Sequence, residues 1–282
     1  MVVTHLVSAG VDHPTHRIFE EGNLMTRVAG KVAIITGAAS GLGKADAFRL
    51  REEGAQLVLT DINRAEGQRV ADECDALFVL QDVGDEASWP ALVETTVARF
   101  GRLDVLVNNA GIAPIANIES ASTEHWHEVM RVHLDGTFFG CRSVIPQMTR
   151  TGGGSIINMS SVAALTGLSP FLAYSAAKGG IRSMTKSIAT YCREQKNNIR
   201  CNSIHPGSIS TPMVHGALEA LSGYRLMDQK DPEAARKAMG IGEPLDVANM
   251  VLFLASEESK HINGAELVID NGSTFAQMSR RA

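Results

Sequence analysis

Short apolar runs alternate with helical segments along most of the chain, and this alternation constrains the fold more than any other feature. The predicted strands occupy residues 32–36, 57–59, 77–80, 105–107, 155–159, 200–204 and 266–269. The predicted helices occupy residues 41–53, 64–74, 86–100, 123–148, 174–196 and 244–255. Strands that alternate with helices form a parallel sheet covered on both faces. We therefore predict an α/β fold built on a single doubly wound, parallel, seven-stranded sheet.

The first residues of the chain do not follow this pattern. Residues 1–29 show no strand or helix period, so we expect a disordered N-terminal extension. Met25 is the expected natural start, because the sequence from Met25 leads directly into the first strand. Residues 30–282 contain no internal repeat and no low-complexity linker, which predicts a single domain.

Charge and composition exclude several classes of protein. A formal net charge of −5 without a basic run disfavours a nucleic-acid partner. No apolar stretch reaches the roughly 20 residues that cross a bilayer. The four cysteines include no C-x-x-C pair, which is typical of reduced thiols in a cytoplasmic protein. His125 and His127 face different sides of a helix, so we predict no metal site.

The turn between the first strand and the first helix is rich in glycine. It reads T-G-A-A-S-G-L-G over residues 36–43. Glycine permits a tight turn and a close approach of ligand to backbone, and a helix N-terminus offers N–H groups to a pyrophosphate. This predicts a dinucleotide-binding turn with these candidate residues: Gly37, Ser40, Gly41, Leu42 and Gly43.

The end of the second predicted strand carries an acidic residue, Asp61, followed by Ile62. A carboxylate at this position can accept hydrogen bonds from both hydroxyls of the adenosine ribose, and it repels a 2′-phosphate. Lys44 and Arg64 are less well placed to receive that phosphate. The simple alternative is that Asp61 only starts the next helix. We predict NAD as the cofactor rather than NADP.

Two further strand ends supply candidate cofactor contacts. Asp82 and Val83 follow the third strand, where Asp82 either accepts the adenine amino group or starts a turn. Asn109, Ala110 and Gly111 follow the fourth strand. Their amides can tie neighbouring strands together behind the cofactor, although Asn-Ala-Gly is also ordinary turn chemistry.

Tyr174 and Lys178 are four residues apart on a predicted helix, so their side chains lie on one face. A nearby cation favours a phenolate and lowers the pKa of the phenol from its usual value of about 10. Such a pair can give or take a proton near neutral pH. Taken alone, a Y-x-x-x-K pattern more often belongs to a surface helix.

Together these motifs resemble the short-chain dehydrogenases/reductases, whose fold is Rossmann-type. The similarity covers residues 31–272 and includes T-G-A-A-S-G-L-G, N-N-A-G, Y-S-A-A-K and Pro206-Gly207. In detail the chain looks most similar to bacterial 3β/17β-hydroxysteroid dehydrogenases. The resemblance implies that Ser161 is the catalytic serine and that Ser160 is its neighbour. It also implies a homotetramer.

The resemblance further places the nicotinamide end of the cofactor on a late segment of the chain: Tyr174, Lys178, Pro206, Gly207, Ile209 and Thr211. One departure concerns the catalytic asparagine of the family, which is replaced here by His133. That asparagine holds a water in a proton relay. His133 either takes over the relay or has no part in the chemistry, and both alternatives stay open here.

The implied reaction is hydride transfer between nicotinamide and a secondary alcohol or ketone. Tyr174 takes the alcohol proton, Ser161 holds the substrate oxygen, and Lys178 lowers the pKa of Tyr174 and binds the nicotinamide ribose. The segment 212–242 holds many methionines and leucines, and we expect it to form a lid over an apolar substrate.

We predict a hydrophobic cyclic substrate of hydroxysteroid type. Another cyclic alcohol or a diol is the alternative within this class, and Asp61 disfavours an acyl-carrier-protein reductase. From a different class, a non-catalytic dinucleotide sensor is favoured only by the replacement at His133.

Overall fold

The computed structural model describes residues 26–275. Seven parallel strands form one sheet in the order β3-β2-β1-β4-β5-β6-β7. Their bounds are β1 Val32–Thr36, β2 Gln56–Asp61, β3 Leu77–Leu80, β4 Val105–Asn108, β5 Gly154–Met159, β6 Ile199–Pro206 and β7 Glu266–Ile269. The predicted doubly wound, parallel, seven-stranded sheet is confirmed.

Helices cover both faces of this sheet. Their bounds are α1 Gly41–Glu52, α2 Arg64–Cys74, α3 Ser88–Phe100, α4 Thr123–Met130, α5 Gly136–Arg150, α6 Ala163–Thr166, α7 Leu172–Gln195, α8 Pro212–Ser222, α9 Pro232–Ala238 and α10 Pro244–Ala255. The single helix predicted over residues 123–148 is interrupted, because a π-helical turn, Arg131–Asp135, joins α4 to α5. Asn63 caps α2 as predicted, accepting a hydrogen bond from the backbone of Glu66.

Successive residues of the central strands enter two different hydrophobic layers. Ile35 packs in a cluster with α1 and α10, whereas Ile34 packs in a cluster with α3 and α5. Both side chains are fully buried, as is Trp89 of α3. Complete burial of a large apolar side chain contributes about 1.5–3 kcal/mol. Burial on both faces explains why the strands read as continuous apolar runs.

Residues 26–29, which the sequence assigned to the N-terminal extension, pack against the domain. The side chain of Val28 is only 1% exposed and belongs to the hydrophobic core. Arg27 pairs with Glu258 at 2.7 Å, and its backbone N–H donates to Glu53. These contacts tie residues 26–29 to the domain. The rest of the predicted extension, 1–25, lies outside the described residues.

Within residues 26–275, no helix is both long enough and apolar enough to cross a membrane.

Candidate active site

The strand order reverses direction between β1 and β4, and open α/β sheets bind ligands in the crevice at such a point. A cleft of about 350 Å³ lies at the carboxyl ends of these strands. All but one of the predicted site residues line it: Gly37, Ser40, Gly41, Leu42, Asp61, Ile62, Asp82, Val83, Asn109, Ala110, Gly111, His133, Ser161, Tyr174, Lys178, Pro206, Gly207, Ile209 and Thr211.

The exception is Gly43, which does not line the cleft. A Cβ atom at Gly43 would lie 2.4 Å from the carbonyl oxygen of Gly37, so this glycine lets α1 pack against the turn. Gly37 itself has a φ of +65°, and a Cβ there would meet the Cα of Ala110 at 2.7 Å. The turn is therefore held close to both α1 and the end of β4, which leaves its backbone open to the cleft.

The ends of β1 and β4 are tied by a compact hydrogen-bond network. The hydroxyl oxygen of Thr36 accepts bonds from the backbone N–H groups of Asn109 and Ala110, both at 3.0 Å. The side-chain amide of Asn109 donates to the carbonyl oxygens of Thr36 and Gly37. This is the strand-linking arrangement predicted for the Asn-Ala-Gly segment, and it fixes the floor of the cleft.

Asp61 is oriented by two backbone amides. Ala39 donates to its Oδ2 at 3.0 Å, and Asn63 donates to its Oδ1 at 2.8 Å. A carboxylate oxygen can accept a second hydrogen bond, so Asp61 keeps acceptor capacity toward the cleft. Together with the glycine turn and the N-terminus of α1, this donor and acceptor set fits a dinucleotide.

The sequence did not single out Arg131 in the π-helical turn, yet Arg131 lines the cleft beside Asp82. Its Nη1 donates to Asp82 Oδ2 at 2.8 Å, and its Nε donates to Glu128 at 2.9 Å. The backbone N–H of Gly84 donates to the other oxygen of Asp82. Arg131 thus holds the carboxylate of Asp82 in one orientation.

Other cleft residues were also not identified from the sequence as cofactor or catalytic residues: Gln81, Ile112, Glu128, Val132, Met159, Ser160, Pro212, Met213 and Val214. Ile112 directly follows the N-A-G segment, and Val132 directly precedes His133. Proximity to a recognised motif was therefore the available signal for those two residues. Gln81 and Met159 likewise directly precede Asp82 and Ser160, so the same signal was available for them.

Ser161, Tyr174 and Lys178 meet at the other end of the cleft. Ser161 follows β5, and the other two residues lie on the first turns of α7. The ammonium of Lys178 lies over the ring of Tyr174, 5.4 Å from its centre, and donates to the carbonyl oxygen of Met159 at 2.6 Å. The hydroxyl of Ser161 accepts the backbone N–H of Ala163 at 3.1 Å.

Burial raises the pKa of Tyr174, while the hydroxyl of Ser161 acts in the opposite direction and lowers it. This corrects the expectation that Lys178 sets a low pKa for the tyrosine, since the ammonium donates to Met159 instead. Burial also lowers the pKa of Lys178 to about 7. The tyrosine and the lysine therefore share a site that disfavours charge on both.

His133 forms a wall of the site. Its side chain is 1% exposed, and its ring meets that of Tyr174 edge to face at 5.3 Å. Its Nε2 lies 3.0 Å from the nitrogen and 2.6 Å from the oxygen of Ile112. Burial, and then the charge of Lys178, lower the pKa of His133 to about 3. The imidazole is therefore neutral at working pH.

Across residues 26–275, no group of three or more histidine, cysteine, aspartate or glutamate side chains is arranged to hold a metal ion.

Comparison with known proteins gives one family and a consistent set of relatives. A family model described as enoyl-(acyl carrier protein) reductase matches residues 37–274. An NADP-dependent (R)-specific alcohol dehydrogenase of Lentilactobacillus kefiri is 42% identical over 257 residues, which cover 88% of this chain and 98% of that protein.

Two other relatives carry names that refer to ring alcohols. A trans-4-hydroxycyclohexanecarboxylate dehydrogenase of Sinomonas cyclohexanicum is 41% identical over 90% of this chain and 97% of its own. A 3-beta-hydroxysteroid dehydrogenase of Comamonas testosteroni is 40% identical over 88% of this chain and 97% of its own. Among solved structures, levodione reductase matches with a TM-score of 0.79 and 33% identity, over 89% of this chain and 100% of that chain.

Proposed function

The chain belongs to the short-chain dehydrogenase/reductase family, and from that premise we propose that it is an NAD-dependent dehydrogenase of secondary alcohols on hydrophobic cyclic substrates. One observation carries the proposal. A single cleft joins a glycine turn and Asp61 at one end to Ser161, Tyr174 and Lys178 at the other. Such a cleft suits a cofactor that spans it and a substrate oxygen beside the tyrosine.

The preference for NAD rests on charge at the ribose end. Asp61 faces the cleft, while the ammonium of Lys44 lies 3.7 Å from Glu73 and 5.5 Å from the ring centre of Phe48. These contacts orient the ammonium of Lys44 toward Glu73 and Phe48, so we expect the carboxylate of Asp61 to set the charge that a 2′-phosphate would meet. The relative from L. kefiri is named as NADP-dependent, so overall similarity alone does not decide the cofactor.

In the proposed reaction Tyr174 removes the alcohol proton, and the hydroxyl of Ser161 donates to the substrate oxygen. The ammonium of Lys178, which lies over the ring of Tyr174, would offset negative charge as it develops on the phenol during proton transfer, and it would hold the nicotinamide ribose. The bound nicotinamide supplies the hydride acceptor. We assign His133 to the wall of the site rather than to the proton path, because its Nε2 is engaged by the backbone of Ile112 and its ring packs edge to face against Tyr174.

The substrate side of the cleft is apolar. Ile112, Met213 and Val214 line it, and α8 contributes no fully buried residue to the rest of the protein. A helix with so little buried surface has low local stability, which supports mobility of α8 within the proposed lid 212–242. Further along the segment, Leu226 and Ile241 are buried and anchor it. The names of the relatives favour a hydroxysteroid-like substrate, with another cyclic alcohol or a diol as the alternative.

The deciding experiment measures steady-state turnover of a panel of alcohols with NAD and with NADP. The panel contains 3- and 17-hydroxysteroids, substituted cyclohexanols, cyclic diols and linear secondary alcohols. The proposal expects the highest kcat/KM for a cyclic alcohol with NAD. Failure of every alcohol and ketone, with intact NAD binding, would favour a sensor instead. A homotetramer in the cytoplasm remains part of the proposal, and light scattering tests the assembly.

A further inference from the structure

The structure connects the serine end of the site to a buried histidine that has no assigned role. His205 is the residue before Pro206 near the carboxyl end of β6, and its side chain is fully buried. Its ring Nδ1 lies 3.1 Å from the carbonyl oxygen of Ser161. Its Nε2 lies 2.9 Å from the hydroxyl oxygen of Ser203. The ring therefore bridges the strand that ends at Pro206 and the loop that carries Ser161.

Chemistry fixes the tautomer of this ring. A backbone carbonyl only accepts hydrogen bonds, so the Nδ1 of His205 carries the proton and donates to Ser161. In the neutral ring Nε2 is then an acceptor, and the hydroxyl of Ser203 donates to it. Burial lowers the pKa of His205, which keeps the ring neutral. Both ring nitrogens are satisfied in this arrangement.

The bridge lies where the backbone ladder between β5 and β6 lacks one hydrogen bond. The paired register ends at Met159 and Ile204. In a parallel ladder the next bond would run from the N–H of residue 206 to Ser160, and Pro206 has no N–H. The backbone N–H of Val162 bonds to the oxygen of Pro206 further on. His205 thus supplies a side-chain link at the point where a backbone link is missing.

Ser161 is held at its two ends by different partners. Its carbonyl oxygen accepts from His205 and from the backbone N–H of Ala164, and its hydroxyl accepts from the backbone N–H of Ala163. The same hydroxyl lies in the cleft with Tyr174. We propose that His205 is a positioning residue, which fixes the backbone of Ser161 so that its hydroxyl points at Tyr174 and the substrate oxygen. This inference rests on the proposed function for its kinetic consequence, but not for its structural one.

Two substitutions separate positioning from simple packing. In His205→Asn the amide nitrogen can take the place of Nδ1 and still donate to Ser161, whereas His205→Leu keeps bulk and loses the donor. We expect His205→Leu to lower kcat about tenfold, a fraction of the roughly 10²-fold that a 1 Å misplacement can cost. His205→Asn should recover most of that loss, and NAD affinity should stay unchanged in both.

A double-mutant cycle with Ser161→Ala tests whether the effect passes through the serine. If it does, His205→Leu should change kcat by less than about twofold in the Ser161→Ala background. An equal loss of kcat in both backgrounds overturns the inference, because His205 would then act by another route. Absence of turnover in the wild type would count against the proposed function, and the spectroscopic measurement below still decides the inference.

That measurement is the ¹³Cζ resonance of labelled tyrosine, which reports hydrogen bonding of the phenol. The chain has three tyrosines, and Tyr174→Phe assigns the signal. We expect the ¹³Cζ chemical shift of Tyr174 to change in Ser161→Ala and to change in the same direction in His205→Leu. In His205→Asn it should keep its wild-type value. If His205→Leu does not fold, Ser203→Ala replaces it, since loss of that hydroxyl frees the tautomer. A wild-type chemical shift of Tyr174 in His205→Leu, or in Ser203→Ala where it replaces that variant, overturns the inference.

Discussion

The amide nitrogen of Ala39 donates a 3.0 Å hydrogen bond to Oδ2 of Asp61, so the glycine turn and the end of β2 are joined by a side chain. This bond fixes the carboxylate where a ribose would lie against the turn. Asp61 therefore has a structural role beside the role in cofactor selection that we propose for it.

The first prediction is that Asp61→Ala combined with Ile62→Arg reverses cofactor preference from NAD to NADP. The change removes repulsion of a 2′-phosphate and adds a guanidinium that can bind it. Ile62 is 72% exposed, so an arginine there costs little packing. The measurement is the ratio of kcat/KM for the two cofactors. Asp72→Ala, which removes an exposed carboxylate on α2, is the control and should leave the ratio unchanged.

The second prediction concerns Arg131, which orients Asp82 through a 2.8 Å hydrogen bond. Arg131→Met should weaken binding of NAD and of ADP-ribose about threefold, in line with the 0.2–1 kcal/mol typical of partly exposed pairs. Calorimetry gives both affinities. Arg142→Met removes a comparable pair with Glu86 on the surface and should have no effect. Equal losses in the two variants would show that Arg131 has no particular role in binding adenosine.

The architecture was predictable because the sheet is buried on both faces. Buried strands such as 32–36 read as apolar runs, and the glycine turn marks the passage from strand to helix. The π-helical turn at Arg131–Asp135 was missed, because one widened turn hardly alters the apolar period of a helix. The ordered segment around Val28 was missed because four residues are too few to show any period.

The lining of the candidate cleft was predictable where the proposed chemistry needs a specific residue type, as at Asp61 and Tyr174. Contacts that depend on distant elements could not be read from the chain. The acceptor for Lys178 is a backbone oxygen of β5, and a backbone atom leaves no mark in a sequence. The hydrogen bond from Arg131 to Asp82 joins residues 49 positions apart in the chain, so no local spacing pattern could predict it.

The third prediction is that Gly111 and His133 depend on each other. A Cβ at Gly111 would lie 2.3 Å from Cε1 of the imidazole, so Gly111→Ala should reduce turnover strongly in the wild type. In a His133→Ala background the same change should cost much less, because the ring is gone. His133→Ala alone should lower kcat through lost packing and leave the pH profile unchanged. If the pH profile of kcat in His133→Ala lacked an ionisation that the wild type shows, His133 would be assigned to the proton relay instead.

The fourth prediction is that the segment 212–242 becomes ordered when cofactor and substrate bind. Its two ends are held together by Gly242, whose N–H donates to Ser208 at 3.0 Å and whose carbonyl accepts from Ser210 at 2.9 Å. Between these ends α8 buries no residue completely. Amide exchange in α8 should therefore slow on binding, while the buried helix α10 serves as the internal control. Unchanged amide exchange in α8 would contradict the prediction of a lid.

The fifth prediction concerns the proton. Tyr174→Phe keeps the ring against His133 and loses the hydroxyl, so NAD affinity should stay close to that of the wild type. Turnover should fall by at least about 10²–10⁴-fold, which is the usual contribution of a general acid or base. Lys178→Met should differ, since it removes both the cation and a ribose contact, and it should lower turnover and NAD affinity together. Retention of most kcat in Tyr174→Phe would contradict the mechanism.

The pH dependence of the wild type follows from the same pair. One proton can leave either from the ammonium of Lys178 or from the phenol of Tyr174, and the ionisation constants of the two routes add. The apparent pKa of the pair therefore cannot exceed the lower of the two values, which is about 7 for Lys178. Alcohol oxidation needs the pair without that proton, so its kcat/KM should rise with pH and level off above about 7. Ketone reduction needs the protonated pair, so its kcat/KM should fall as pH rises through the same value. An oxidation profile that rises only near the pKa of free tyrosine would show that Lys178 does not share the proton.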